Sequence, residues 1–255
     1  MPRSNRYILP GYLYHVTHRC HDHKFLFSAA ADRTEYRRRL GEALARFDVS
    51  LLSYAITSNH THQILTSQNP TRISRMMQAL EGKFAEYYNA RKRRSGAFWE
   101  DRFHSTMIEE GSHLLNCLIY IDLNMVRAGV VAHPEQWEWC GYHELAGKRK
   151  RFRIIDHDLL RQLLGPFAED FAKSYAAEIE AAIAAGRLKR ESWWTESVAV
   201  GSREYVQRIE EGTRKRKKRV RSEDLGSGLW CVREEQVGYG EGRSRGADTE
   251  SVPGP

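Results

Sequence analysis

The sequence has no long apolar run, which argues against a helical membrane protein. No eighteen consecutive residues are predominantly apolar, although hydrophobic residues make up 41% of the 255 positions. The first twelve residues, MPRSNRYILPGY, lack the apolar core of a signal peptide. The apolar content is still sufficient for the core of an ordinary globular protein. We therefore expect a cytoplasmic protein that does not bind a membrane.

Cysteine is scarce and scattered along the chain. The four cysteines stand at Cys20, Cys117, Cys140 and Cys231 and form no CxxC pair. This spacing favours reduced thiols over a disulfide framework or a zinc knot. Residues 18–23 (HRCHDH) offer one zinc alternative, but no second ligand pair follows at the spacing of a zinc finger.

Basic residues outnumber acidic ones by 40 to 33, which gives a formal charge of +7 and a pI near 9.3. The basic clusters are Arg91-Lys92-Arg93-Arg94, Lys148-Arg149-Lys150-Arg151 and the run 214–221. A solvated loop explains any one cluster, whereas three clusters favour contact with nucleic acid. The run 214–221 suits nonspecific contact with the phosphate backbone, and the cluster 91–94 is a second candidate for DNA binding.

Apolar patterning predicts the order of strands and helices. Aromatic and β-branched runs predict strands at 12–17, 51–57, 62–67 and 103–108. Helical spacing predicts helices at 31–47, from Pro70 to the cluster 91–94, and at 112–129. Strand, helix, strand, strand, helix, strand is the order of a ferredoxin-like βαββαβ fold, an antiparallel sheet with helices on one face. We therefore predict an α+β protein whose sheet is followed by a functional helix.

Composition divides the chain into three parts. Residues 1–146 hold the predicted ferredoxin-like domain. Residues 147–225 have helical apolar spacing and many cations, which predicts a mainly helical, basic extension. Residues 226–255 are rich in glycine, serine and charge, which predicts a flexible tail.

The predicted helix 112–129 carries three polar side chains on one face. Ser112 can cap its start, and Gly129 suits its end. Tyr120, Asn124 and Arg127 stand at i, i+4 and i+7, so a phenol, an amide and a guanidinium project together. Such a face can handle a phosphate, although many polar helix faces are merely solvated.

His60 and His62 stand two residues apart at the start of the third strand, so both imidazoles face the same side. They can reach one cation or can be two ordinary polar residues at a strand edge. If helix 112–129 packs on that face, Asn124 becomes a third ligand. Two imidazoles and one amide bring no negative charge, so a divalent ion keeps its full charge for a phosphodiester oxygen. Mixed nitrogen and oxygen ligands favour Mg²⁺ or Mn²⁺.

Tyr120 is the candidate nucleophile beside this shell. Its phenol is only about one part in a thousand ionised at pH 7, so it needs help from the metal ion, from Arg127 or from a base. Attack on a phosphodiester would leave a phosphotyrosine and release the other side of the strand as a hydroxyl. The energy of the bond is retained, which suits strand transfer.

Three segments together closely resemble the REP-associated tyrosine transposases, which belong to the IS200-like class of HUH single-tyrosine transposases. They are YAITSNHTH at 54–62, FWEDRFHS at 98–105 and YIDLNMVRAG at 120–129. The resemblance covers about residues 7–146, and VAVGSREYVQRI at 198–209 is similar to a further segment of these proteins. It implies a bacterial, ferredoxin-like nuclease that nicks and rejoins single-stranded DNA at hairpin-forming repeats.

The resemblance carries the metal ligands onto His60, His62 and Asn124 and the nucleophile onto Tyr120. The sequence departs from the family at two positions. Thr61 replaces a large hydrophobe, which implies a packing cost on the opposite face of the strand. Met125 replaces a proline, which implies a straighter helix around Asn124.

Other readings stay open at this stage. Arg102 and His104 are candidate DNA contacts, and Trp99 can stack on a base or anchor the core. The remaining tryptophans are predicted to be packing residues. There are two alternatives to a transposase. One is a relative that binds structured DNA or RNA without cutting it, and the other is a zinc hydrolase with Glu100 or Asp101 as an added ligand. The sequence allows a monomer or a homodimer.

Overall fold

A seven-stranded sheet runs through the structure, a computed structural model that describes residues 8–215 and 219–235. Its first part is built from β1 (Leu13–Arg19), β2 (Ser50–Ile56), β3 (His60–Thr66) and β4 (His104–Ile108). Helix α1 (Ala30–Phe47) joins β1 to β2, and α2 (Pro70–Lys92) joins β3 to β4. The predicted strands and helices of this part are all present, with ends shifted by one or two residues.

Four of the strands lie in the order β2-β3-β1-β4, and every adjacent pair is antiparallel. Strand β3 lies between the parallel strands β1 and β2, and β1 lies between β3 and β4. Each strand–helix–strand unit is therefore split by an inserted strand, as the element order predicts. In this register Thr17 of β1 faces both His62 of β3 and His104 of β4.

One face of the sheet is covered by α1 and α2. Tyr36 and Leu40 of α1 and Phe84 of α2 are fully buried there. Gln63 of β3 points to the same side and donates a hydrogen bond to the Tyr36 hydroxyl at 2.9 Å. These aromatic contacts bury a large apolar area and fix the two helices on the sheet.

The opposite face is covered as well, which corrects the prediction of helices on one face only. Helix α3 (Ser112–Asp122) packs there and is followed by the single turn α4 (Asn124–Arg127). Because side chains alternate along a strand, His60 and His62 point toward this second layer while Gln63 points toward the first. The candidate site therefore lies between the sheet and the second helical layer.

The ends of α3 and α4 depend on two glycines. Gly111 precedes α3 with φ of 67°, a conformation that favours glycine, and Ser112 makes no side-chain cap. The predicted serine cap is therefore wrong. Gly129, with φ of 68°, follows α4 as expected. The helix also breaks at Leu123 between α3 and α4, so Met125 does not give the straighter helix that was expected.

The rest of the chain contains both helices and strands. Its elements are α5 (Tyr142–Leu145), α6 (His157–Leu164), α7 (Phe171–Ala184), α8 (Trp193–Glu196), β5 (Ala199–Gly201), α9 (Arg203–Arg214), β6 (Val220–Gly226) and β7 (Leu229–Glu234). Strand β5 pairs in parallel with β4, and β7 and β6 continue the same sheet. Within residues 147–225 the helices α6, α7, α8 and α9 make up most of the described secondary structure, as predicted, and β5 and β6 add short strands to the sheet.

The flexible tail was predicted to begin at residue 226, but β7 lies within residues 226–255. The remainder of that tail, residues 236–255, and the centre of the basic run, residues 216–218, lie outside the described residues. The domain boundaries themselves stay a prediction.

Two general expectations concern thiols and membranes. All four cysteines are buried free thiols. Within residues 8–215 and 219–235, none of the helices has the length and apolar character needed to cross a bilayer.

Asp122 joins the end of α3 to the C-terminal extension. Its fully buried carboxyl accepts a hydrogen bond from the Tyr175 hydroxyl of α7 at 2.6 Å and one from the Tyr142 backbone N–H at 3.1 Å. Burial raises the pKa of Asp122 from 3.8 to about 7. The carboxyl therefore takes up its proton more readily in the folded chain than in the unfolded chain.

This raised pKa predicts a pH dependence of stability. Between pH 4 and pH 7 the folded state holds a proton on Asp122 that the unfolded state has lost, so the contribution of Asp122 falls as pH rises, by up to about 1.4 kcal/mol per pH unit. The free energy of unfolding, measured by urea denaturation, should lose this part of its slope in Asp122→Asn. The exposed Asp158→Asn of α6 serves as control and should keep the wild-type slope. An unchanged slope in Asp122→Asn would contradict the assignment.

Candidate active site

His60 and His62 project from the start of β3 to the face that α3 and α4 cover. Thr61 between them is buried on the opposite face, at 1% exposure. The imidazoles lie edge to face, with ring centroids 4.7 Å apart. The strand period thus brings both rings to one place, as the sequence predicts.

Asn124 meets both histidines from the first position of α4. Its amide nitrogen, Nδ2, lies 2.9 Å from His62 Nε2 and 3.4 Å from His60 Nε2. The two Nε2 atoms and the amide group therefore converge from two different elements. The structure brings the three predicted ligands together.

Burial keeps both imidazoles neutral. Burial, together with the nearby cations Arg19 and Arg127, lowers the pKa of His60 to about 3. Burial also holds the pKa of His62 well below 6.5. Neutral imidazoles present a nitrogen lone pair, which is the form that binds a metal ion.

The three groups fit a small divalent cation. Ligands in neighbouring positions around an octahedral ion, each about 2.1 Å from it, lie about 3 Å apart. The separations of 2.9 and 3.4 Å from Asn124 Nδ2 to the two Nε2 atoms are close to that spacing, and a 180° turn of the amide would place the ligating oxygen Oδ1 in the position of Nδ2. His60, His62 and Asn124 would hold the ion with no carboxylate among them.

Neither zinc alternative is supported. The described residues contain no group of three or more His, Cys, Asp or Glu side chains that could hold a metal ion. His18 instead forms an ion pair with Glu81 at 2.5 Å and contacts the Asp101 carbonyl. Glu100 forms an ion pair with His23, at 3.2 Å, and does not complete a zinc shell.

Tyr120 lies in the last turn of α3 beside the histidines. Its ring centroid is 6.2 Å from that of His62, and the two rings meet edge to face. The guanidinium of Arg127 lies over the Tyr120 ring at 4.1 Å and donates to the Tyr120 carbonyl at 2.9 Å. The helical spacing of Tyr120, Asn124 and Arg127 therefore gives one face, as expected.

The pKa of Tyr120 is under two opposing influences. Burial raises it above the ordinary value of 10, and the positive charge of Arg127 lowers it. The phenol is therefore neutral at rest. Of the two cations that favour its ionised form, Arg127 and Arg190, Arg127 has the larger effect.

A cavity of about 1000 Å³ opens beside these residues. Tyr120, Asn124 and Arg127 line it together with Arg102 and His104. The charged lining carries both signs, with Arg19, Arg102, Arg127 and Arg190 balanced by Glu100, Asp101, Glu196 and Glu234. Two predicted DNA contacts, Arg102 and His104, thus lie at the candidate site.

The basic cluster 91–94 does not line this cavity. Arg91 and Lys92 form ion pairs with the buried Asp32 of α1. Arg93 ends α2 in the left-handed conformation, and Arg94 donates to the Ala97 carbonyl at 3.0 Å. The cluster therefore has structural partners, and its contact with DNA stays a prediction.

Sequence reasoning missed two residues at the site. His15 of β1 is fully buried, and its ring nitrogens contact His62 and the Trp194 carbonyl. Trp194 of α8 is buried as predicted for a packing residue, but its ring also lies 6.2 Å from that of Tyr120. Trp99 is a core anchor, because it stacks on His18 and donates to the Glu81 carbonyl at 3.1 Å.

Comparison with solved structures identifies a similar fold. A REP-associated tyrosine transposase bound to a REP hairpin matches with a TM-score of 0.51 and 17% identity, over 58% of this chain and 87% of that chain. At this identity the likeness shows a shared fold. A candidate transposase from Deinococcus radiodurans matches over 51% of this chain and 92% of its own length, with a TM-score of 0.31 and 15% identity.

Comparison with curated proteins gives no match. Among protein families, residues 9–124 match the IS200-like transposases. This range begins before β1 and ends at Asn124, so it contains the whole histidine, tyrosine and asparagine constellation. The segment that carries the histidines, the tyrosine and the asparagine therefore matches the family of IS200-like transposases.

Proposed function

We propose that the protein is a DNA strand transferase that nicks and rejoins single-stranded, hairpin-forming repeat DNA through a covalent 5′-phosphotyrosine link. The observation that carries the proposal is the position of Tyr120 beside His62, with Asn124 in contact with both histidines. A nucleophile next to a neutral ligand shell suits transfer of a phosphodiester. The match of residues 9–124 to a transposase family supports the same reaction.

The reaction exchanges one phosphodiester for another. The Tyr120 hydroxyl oxygen forms a bond to phosphorus while the bond from phosphorus to the 3′ oxygen breaks, and the phenol proton passes by way of solvent to that oxygen. Attack by a 3′ hydroxyl from another end reverses these steps and reseals the strand. A bound Mg²⁺ or Mn²⁺ would polarise the phosphate because His60, His62 and Asn124 leave its charge uncompensated.

In this scheme Arg127 promotes the ionisation of the Tyr120 phenol. Its guanidinium lies over the Tyr120 ring and opposes the effect of burial on the phenol pKa. The positive charge stabilises the phenolate that develops during attack. Its bond to the Tyr120 carbonyl holds the guanidinium in that position.

The DNA would enter the cavity that Arg102 and His104 line. The similar transposase structure contains a REP hairpin, which supports hairpin DNA as the substrate class. The basic clusters outside the cavity would contact phosphates at a distance from the reacting bond. Because Tyr120 and the histidines meet within one chain, the geometry favours attack inside a single subunit, whether the protein is a monomer or a homodimer.

Labelled DNA tests the covalent intermediate. Wild-type protein with Mn²⁺ and a 3′-labelled single strand that holds the hairpin repeats flanking its own gene should give a labelled band on a denaturing gel. Tyr120→Phe should keep hairpin binding within a few-fold but give no labelled band, because it lacks the attacking oxygen. Tyr142→Phe, an aromatic outside the cavity, is the matched control and should form the band.

Two outcomes would contradict this proposal. A labelled band in Tyr120→Phe would remove Tyr120 from the mechanism. Binding by the wild-type protein without a band in any Mg²⁺ or Mn²⁺ concentration would instead support a protein that grips structured DNA without cutting it.

Substitution of Asn124 tests the charge of the proposed ligand shell. Asn124→Asp should bind Mn²⁺ more tightly, yet form the covalent band about 10 to 100 times more slowly, because a carboxylate partly neutralises the ion. Asn124→Ala should weaken Mn²⁺ binding, measured by titration calorimetry, by about 10-fold or more. Equal affinity in all three proteins would show that Asn124 is not a ligand.

A further inference from the structure

His15 connects the histidine pair to the C-terminal extension. It lies on β1 with no exposed surface, on the sheet face that carries His62. Its Nδ1 is 2.8 Å from the Trp194 carbonyl, and its Nε2 is 2.8 Å from His62 Nδ1. Both contacts are buried, so water does not compete for either nitrogen.

The positions of the hydrogens follow from these contacts. A carbonyl oxygen can only accept, so His15 Nδ1 must carry the hydrogen of a neutral ring. His15 Nε2 is then an acceptor, and His62 Nδ1 must donate to it. This leaves His62 Nε2 without a hydrogen, and that lone pair faces Asn124.

The surroundings of His15 favour the neutral ring that this assignment requires. The charged and titratable groups that face it are His60, His62, His104, Arg127 and the neutral phenol of Tyr120, and none of them carries a negative charge. A buried imidazolium with no anionic partner is strongly disfavoured. The Trp194 carbonyl therefore fixes the direction of both hydrogen bonds, from His15 to Trp194 and from His62 to His15.

Local contacts hold His60 in the same tautomer, with its hydrogen on Nδ1. Its Nδ1 lies 2.7 Å from the Asn59 Oδ1, while the Asn59 amide nitrogen donates to the His23 carbonyl at 3.2 Å. The Thr57 hydroxyl uses its hydrogen on the His60 carbonyl at 2.8 Å. The turn before β3 thus orients His60, whereas His62 depends on a residue 132 positions away in sequence.

We propose that His15 is a positioning residue, and that the relay from the Trp194 carbonyl through His15 holds His62 in the Nδ1–H tautomer. The extension then helps to orient a ligand set that lies wholly within residues 9–124, because Trp194 lies outside that segment. The consequence for metal binding rests on the proposed function, since it takes His62 as a ligand. The tautomer itself exists without metal or DNA.

Two contacts of the Trp194 side chain hold α8 in place. The Trp194 indole is buried against Tyr120, and its Nε1 donates to the Glu191 carboxylate at 2.6 Å. These contacts hold the short helix so that the Trp194 carbonyl points toward His15. One residue of the extension therefore contacts the nucleophile with its ring and orients a ligand with its backbone.

The test is the tautomer of His62 in the metal-free, full-length protein. Long-range ¹H–¹⁵N spectra of protein labelled with ¹⁵N-histidine distinguish a protonated ring nitrogen from an unprotonated one. We expect His62 to carry its hydrogen on Nδ1. A wild-type spectrum with the hydrogen on Nε2 would overturn the proposal without any variant.

Two substitutions separate the relay from simple packing. His15→Leu removes the acceptor, so His62 should shift toward the Nε2–H form and Mn²⁺ affinity should fall about 10 to 100-fold. His15→Gln offers an amide oxygen to His62 and should keep the wild-type tautomer, with affinity within a few-fold. His113→Gln, a half-buried histidine of α3, should change neither measurement.

The outcomes distinguish the relay from the proposed function. An unchanged tautomer and unchanged Mn²⁺ affinity in folded His15→Leu would overturn the relay, as would equal losses in the Leu and Gln variants. If wild-type protein binds no Mn²⁺, the metal part of the proposed function fails. The spectra still decide the relay in that case.

Discussion

The contact between Asn124 and the two imidazoles is the constraint on which the site depends. It joins a strand to a single helical turn, so both must keep their positions for the three groups to converge. The converging groups are neutral, since burial lowers the pKa of both histidines. An arrangement of neutral donors around one point favours a cation and leaves its charge available to a phosphate.

The regular spacing of side chains along the strands and helices produces this convergence. The alternation of β3 brings His60 and His62 to one face, and α3 delivers Tyr120 to the same face. The break at Leu123 does not separate them, because Arg127 bonds back to the Tyr120 carbonyl across it. Asp122 then fixes the end of α3 to the extension through Tyr175. Rigid elements therefore hold both the candidate ligands and the candidate nucleophile.

The features of the site that could be predicted from the sequence are those set by short spacings along the chain. His60 and His62 are two residues apart, and Tyr120, Asn124 and Arg127 span seven, so local geometry was enough. His15 was missed because its partners, His62 and Trp194, are 47 and 179 residues distant. Such a pairing depends on strand register and on the docking of α8, which no local pattern encodes. The hairpin of β6 and β7 did carry a local signal, a Gly-Ser-Gly turn before the β-prone residues 229–232, but the surrounding charge and glycine obscured it.

Anomalous diffraction from crystals grown with Mn²⁺ tests the convergence of these three groups on a metal ion. We expect an anomalous peak bound by the Nε2 atoms of His60 and His62 and by the Asn124 amide oxygen, on the side of the sheet where Tyr120 lies. The absence of a peak there at saturating Mn²⁺, or a peak only at other residues, would contradict this convergence.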